Sequence, residues 1–103
     1  MKRHEVKCTN PSFTEMWNGE KPVDIRKDDR NYLKGELLWQ REYKLGPGTG
    51  YTGRDMVQFI SYKLPAGIYP GLISGYCAMG VITLQKREAG STVPLLDVIT
   101  HGP

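Results

Sequence analysis

The spacing of apolar and polar residues in this chain switches between a period of two and a period near 3.6, and the switches mark its elements. His4, Val6 and Cys8 alternate with Glu5 and Lys7, which predicts a half-buried first strand. Asn10 offers a helix cap and Pro11 suits the first helical position, after which Phe13, Met16 and Trp17 fall on one apolar face. Gly19 is a left-handed stop, so the helix is about two turns long and needs packing through Phe13 and Trp17 to persist. Val23 and Ile25 alternate with Asp24 and Arg26, predicting a second strand with the apolar pair on one face and an acid and a base on the other. Glu36 to Tyr43 reads as a third strand, with Leu37, Trp39, Arg41 and Tyr43 opposite Leu38, Gln40 and Glu42. Neither face is cleanly apolar, so protein or ligand is expected on both sides. Residues 44–54 hold four glycines and a proline and read as a long mobile hairpin loop. Met56 to Leu64 makes a fourth strand, and Tyr76 to Leu84, nearly all apolar or small, a buried fifth. The fold class is therefore α+β, mainly β: a small mixed barrel of about five strands with a short helix between strands one and two.

Length changes this picture little, since 103 residues make one domain burying roughly two-thirds of its unfolded surface. The domain is expected over residues 4–85, with 86–103 a tail in which Val93, Leu95, Leu96, Val98 and Ile99 dock on the domain or on a partner. A net charge of +3 is compatible with a nucleic-acid or phosphate partner without requiring one. Its distribution matters more: residues 1–44 hold ten of the fourteen basic and eight of the eleven acidic side chains. Residues 19–30 are the densest run, with eight charges in twelve positions. Cys8 and Cys77 lack ligand-type spacing to His4 or His101, so no metal site is signalled and both read as buried reduced thiols. The uncharged run Leu64 to Gln85 is broken by Pro65 and Pro70 and does not read as a membrane span. The first residues have no apolar stretch after their basic ones, and a cytoplasmic protein is expected. Gly48 and Gly53 have the separation of a phosphate loop, but Arg54 and Asp55 stand where Lys and Ser or Thr are needed.

Several segments, in order, carry a family resemblance. They are His4-Glu5-Val6-Lys7, Gly19-Glu20-Lys21, residues 24–30, Arg41-Glu42-Tyr43, Tyr51-Thr52-Gly53-Arg54 and Gly75-Tyr76. Over residues 4–85 the chain resembles a small bacterial and phage family of unknown function within the ASCH superfamily of PUA-like β-barrels. The resemblance implies a PUA-like barrel and RNA binding in a charged cleft beside the first helix. Gly19, Lys21, Asp24 and Arg26 meet the superfamily spacing, with Asp24 where Glu is more usual. One ASCH branch removes the acetyl group from acetylated cytidine; Lys21 matches its lysine, but Asp24 occupies its threonine position.

On these grounds the candidate nucleic-acid-binding residues are Lys21, Asp24, Arg26, Lys27, Arg30, Arg41 and Trp39. The cations meet phosphates, Trp39, Tyr32 or Tyr51 stacks an unpaired base, and Asp24 and Glu42 orient bases or accept from a base edge. The competing reading makes Asp24, Arg26, Arg41 and Glu42 a cross-strand ion-pair ladder that fixes register, with Trp39 as core. The expected ligand is single-stranded RNA or something nucleotide-like, with no cofactor. Two alternatives stand beside it: a small amidohydrolase of a modified nucleoside using Lys21 and Asp24, and a phage or host interaction domain engaging a protein through residues 44–54 or the tail.

Overall fold

The computed structural model of the protein describes residues 2–68 and 70–96. Val98, Ile99 and His101 lie outside the described residues. The elements are β1 (Arg3–Cys8), α1 (Ser12–Trp17), β2 (Val23–Lys27), β3 (Leu37–Lys44), β4 (Gly50–Leu64) and β5 (Tyr76–Arg87). The protein is mainly β, with one five-stranded sheet in the order β1-β3-β4-β5-β2 that curls into a half-barrel. β1 runs parallel to β3, and every other pairing is antiparallel. Two strands adjoining in sequence, β1 and β2, therefore end up as the two edges of the sheet.

Inside the curl, Val6 and Cys8 of β1 meet Leu38, Met56, Ile60, Cys77, Met79 and Val81 in one cluster. Phe13 and Met16 complete it from α1, and Trp17 packs against it from the side. The helix is anchored from its start: the Asn10 side-chain oxygen accepts from the Thr14 amide at 3.0 Å and the Thr14 hydroxyl at 2.6 Å. Asn10 thus caps the helix although the chain enters it one residue later, at Pro11. Gly19, at φ +78°, ends it by sending its amide back to the Met16 carbonyl, a turn that disfavours a side chain. Both cysteines are buried and unpaired; burial pushes both thiols above their ordinary range, which keeps them protonated and unreactive.

β2 has the two unlike faces expected and turns the charged one inward. Val23 and Ile25 lie exposed, Ile25 at 55%, whereas Asp24 is 4% exposed and points inward with Arg26. Alternation shows that a strand has two unlike faces but not which one is inside, and here the interior supplies polar partners for the acid and the base. β5 also differs from the continuous buried strand expected: Cys77, Met79 and Val81 face the core, and Ile82 and Leu84 are exposed. It is half-buried because only one face of the sheet lies against the core. In β4 a register shift between Ile60 and Tyr62 turns Tyr62 out to solvent even though Met56, Gln58 and Ile60 are buried. β3 has buried side chains on both faces, with Leu37 on one and Leu38, Gln40 and Glu42 on the other.

The expected loop over residues 44–54 is shorter than the glycines imply. Gly50 to Arg54 belong to β4, with Tyr51 opposite Tyr43 and Gly50 opposite Lys44, which leaves residues 45–49 as the turn. The cross-strand contacts outweigh glycine's weak strand preference: the Tyr43 and Tyr51 rings meet edge to face at 5.1 Å, and Thr52 and Arg54 both bond Glu42. β5 runs three residues past its expected end, and residues 93–96 return along it. Gln85 donates to the Pro94 carbonyl at 2.9 Å and accepts from the Leu96 amide at 2.8 Å. Among the described residues no helix is long and apolar enough to cross a membrane.

The two faces of the sheet predict opposite mutational costs. Met79→Ala, which empties a fully buried position, should cost about 2–5 kcal/mol, whereas Ile25→Thr on the outward face of β2 should stay within about 0.5 kcal/mol. Urea unfolding of the two variants measures both; equal losses would mean that Ile25 faces the core.

Candidate functional site

β1 and β2 do not pair with each other, and arginines rather than strand hydrogen bonds join them. Arg26 sends Nε to Asp24 Oδ2 at 2.6 Å and Nη2 to Gln40 Oε1 at 2.7 Å and to the Lys7 carbonyl at 2.9 Å. Arg30, on the segment after β2, donates through Nη1 to the Glu5 carbonyl. Two guanidinium groups from one edge thus satisfy backbone acceptors of the other. Behind Arg26 the network continues inward: Gln40 Nε2 donates to Asp24 Oδ2 at 2.8 Å and Gln58 Oε1 at 3.1 Å, and Gln58 Nε2 donates to Thr83 Oγ1 at 3.2 Å. Asp24, Gln40 and Gln58 are buried. Each has partners, so none carries the cost of about 1–3 kcal/mol of a buried unsatisfied polar group. The planar fork of Arg26, held at Nε and Nη2, has lost most of its rotamer freedom before any ligand arrives.

Between the two edges lies a cleft of about 710 Å³. Lys7, Arg26, Lys27 and Arg30 line it with four positive charges, Glu5 and Asp29 with two negative ones. Tyr51 and Tyr76 supply rings. Tyr32 lines it too but is only 2% exposed, its ring edge-on to His4 at 4.8 Å, and so lacks the free face expected of a stacking residue. Burial pushes the Tyr32 phenol up, further from ionisation.

The residues expected at the site fall into three places. Arg26, Lys27 and Arg30 line the cleft, with Asp24 behind Arg26. Lys21 lies apart and donates to Ser12 Oγ at 2.6 Å rather than to Asp24. Arg41 and Trp39 sit on the outward face of β3, where Arg41 bonds Glu5 at 2.7 Å and the Trp39 indole donates to Asp55 Oδ2 at 2.9 Å. The expected four-residue ladder is accordingly split: Asp24 pairs with Arg26, Arg41 with Glu5, and Glu42 with Arg54. No residue of α1 lines the cleft, which opens at the strand edges and not along the helix. Sequence reasoning missed Lys7, Gln40 and Tyr76. Gln40 was legible as a polar residue between Leu38 and Glu42 on one strand face; Lys7 and Tyr76 stand in segments that carry the resemblance, but nothing local places them at a cleft until the edges are brought together.

A second, smaller cleft of about 380 Å³ lies where the chain enters α1 and is lined by Asn10, Glu42 and Thr52 among others. Its centre is the buried Glu42 carboxylate, which accepts from Arg54 Nη2 at 2.8 Å, Asn10 Nδ2 at 2.6 Å and the Thr52 hydroxyl at 2.7 Å. The hydrogen bond from Arg54 above all holds the Glu42 carboxyl below its ordinary value. With its lone pairs so committed, this acid braces α1 against β3 and β4 and has little capacity left for a ligand. Among the described residues no group of three or more His, Cys, Asp or Glu side chains could hold a metal ion.

In comparison with known proteins, a family model described as a domain of unknown function (DUF3850) matches residues 3–81, more than half of the chain. No curated protein matches it.

The Glu42 cluster predicts a pH dependence with a definite sign. A carboxyl whose folded-state pKa is depressed contributes stability that is present above its unfolded value and lost as pH falls through the folded one. Thermal unfolding between about pH 6 and pH 3 should therefore show a loss below about pH 4.5, and Glu42→Gln should shrink that loss while costing about 1–3 kcal/mol at neutral pH. A variant as acid-sensitive as the parent would show that Glu42 contributes nothing to it.

Proposed function

The chain belongs to the DUF3850 family, and we propose that it is a non-catalytic module binding single-stranded RNA in the cleft between β1 and β2. The observation that carries this reading is the pair of edge-bridging arginines. Arg26 and Arg30 are fixed by bonds to the β1 backbone and still line an open cleft with Lys7 and Lys27. Guanidinium groups already oriented lose little further freedom when they take up phosphate oxygens. The exposed Tyr51 and the half-buried Tyr76 stand at the same cleft and offer ring surface to an unpaired base, worth about 1–3 kcal/mol per base. Glu5 and Asp29 hold down nonspecific attraction and accept hydrogen bonds that a base edge, and not a phosphate, can donate.

The order of strands and the curl of the sheet support the finer fold reading, a PUA-like barrel of the ASCH type. Two unpaired buried thiols fit a reducing, cytoplasmic setting. The hydrolase alternative asks Lys21 and Asp24 to act as a unit; their bonds to different partners, Ser12 and Arg26, give it no support.

Fluorescence anisotropy of a labelled six-nucleotide RNA, titrated over a series of salt concentrations, tests the proposal. Affinity should fall as salt rises, and Arg30→Ala should weaken binding and flatten the logarithmic salt slope by roughly 0.7, the amount expected for one phosphate contact to a single strand. Arg30 is exposed, so this variant leaves the buried network intact. Absence of binding at low salt, or a slope indifferent to Arg30, would remove the cleft from consideration.

A further inference from the structure

The outward face of β1, β3 and β4 carries a feature that runs beyond the cleft: cations and aromatic rings alternate along it. Arg3 and Lys7 of β1 point outward beside Trp39, Arg41 and Tyr43 of β3, and Tyr51 of β4 lies opposite Tyr43. The Arg3 guanidinium carbon is 5.2 Å from the centre of the Trp39 ring, and that of Arg41 is 5.0 Å from the same ring and 3.7 Å from the centre of Tyr51. The Lys7 ammonium sits 4.4 Å from the Tyr43 centre and 6.0 Å from that of Tyr51. The result is a continuous column, Arg3-Trp39-Arg41-Tyr51-Lys7-Tyr43, which meets the cleft at Tyr51 and Lys7. Among the described residues these three cations face one neighbouring carboxylate, Glu5, which is bonded to Arg41 and about half exposed. Asp55, below Trp39, is already paired with Arg87 and adds no free negative charge.

We propose that this column is a stacking subsite for single-stranded RNA as it leaves the cleft, so that the ligand is a polymer of several nucleotides and not a single nucleotide. The inference rests on the RNA reading of the cleft and adds the length and path of the strand. Charge and ring chemistry both favour this occupant. A cation over a ring at an exposed site is weakly held, whereas a base stacks on the same face more firmly and brings its own phosphate. When a base enters, it takes the ring face and the displaced guanidinium turns to the phosphate beside that base, so no charge is stranded. Until then the cations cover the rings and keep an apolar stripe from facing water. Glu5, released from Arg41, remains solvated and can accept from a base amino group. The indole hydrogen bond to Asp55 and the Arg3 hydrogen bond to the Leu96 carbonyl, 3.2 Å long, fix the outer end of the path.

The test compares ligands of different length. In a Trp17→Phe background Trp39 is the sole tryptophan, so its emission reports the column while anisotropy reports total binding. Uridine 5′-monophosphate should bind without changing Trp39 emission; hexauridylate should quench it and bind roughly tenfold or more tightly, as expected for one or more additional stacked bases. Trp39→Ala should reduce the ratio of hexamer to monomer affinity by roughly tenfold, and Arg3→Ala, which keeps the Trp39 ring and its hydrogen bond to Asp55, should reduce it several-fold. If both ligands bind equally, through Arg30, with no change in Trp39 emission, the subsite is overturned and the cleft stands. A tighter hexamer whose advantage survives Arg3→Ala and leaves Trp39 emission unchanged also overturns it, because the strand then runs elsewhere. Binding of neither ligand overturns the subsite and the RNA reading together.

Discussion

The guanidinium of Arg26 is the group on which the architecture turns. A five-stranded sheet in which the first two strands become the two edges has to stop short or be closed by something other than a ladder. Arg26 closes it, with one nitrogen on Asp24 and another shared between Gln40 and the Lys7 carbonyl, and Arg30 repeats the bridge at Glu5. A ladder would have left no opening. Side-chain bridges hold the edges near each other and keep a charged cleft between them, so the device that completes the fold also makes the candidate site. It also shields the edges: strands whose backbone acceptors are taken by arginine are poor templates for adding another chain.

The buried polar chain from Asp24 through Gln40 and Gln58 to Thr83 follows from the same arrangement. A guanidinium facing the interior of a small half-barrel needs a carboxylate, and that carboxylate needs a further donor, which Gln40 supplies. Removing one member strands the others in a medium that solvates them poorly, whereas the intact set is satisfied. The interior is therefore divided. Met56, Ile60, Cys77 and Met79 form an apolar part with α1 over it, and a polar part underlies the cleft.

How much of this was legible in the sequence depends on what alternation can encode. The strands around Val6, Trp39 and Ile60, and the helix at Phe13, emerged from periodicity because hydrophobic burial drives them. The second strand was found, with Val23 and Ile25 on one face and Asp24 and Arg26 on the other, but alternation left open which face is inside; the partners that let Asp24 and Arg26 go inside come from distant strands and leave no local trace. Residues 50–54 read as loop from their glycines, while the bonds that extend the strand run to Glu42 and Tyr43 across the hairpin. At the site, Arg26, Lys27 and Arg30 were visible as a charge cluster. Lys7 and Tyr76 were not, because the pairing of sheet edges is a property of topology, and two side chains about seventy residues apart give no sign of it. Trp39 belongs wholly to neither sequence reading: it is half-buried and is also one member of an outward-facing column of rings and cations.

If the arginine-bridged seam is the ligand-binding surface, an amide-resolved NMR titration of the isotope-labelled protein with short single-stranded RNA will map the ligand onto it. Shifts are expected at Glu5 to Lys7 and Arg26 to Arg30, including the Arg26 Nε–H signal, and should diminish as salt is raised. Shifts confined to Lys21 and Ser12 or to the Glu42 cluster, or none at millimolar RNA, would contradict it.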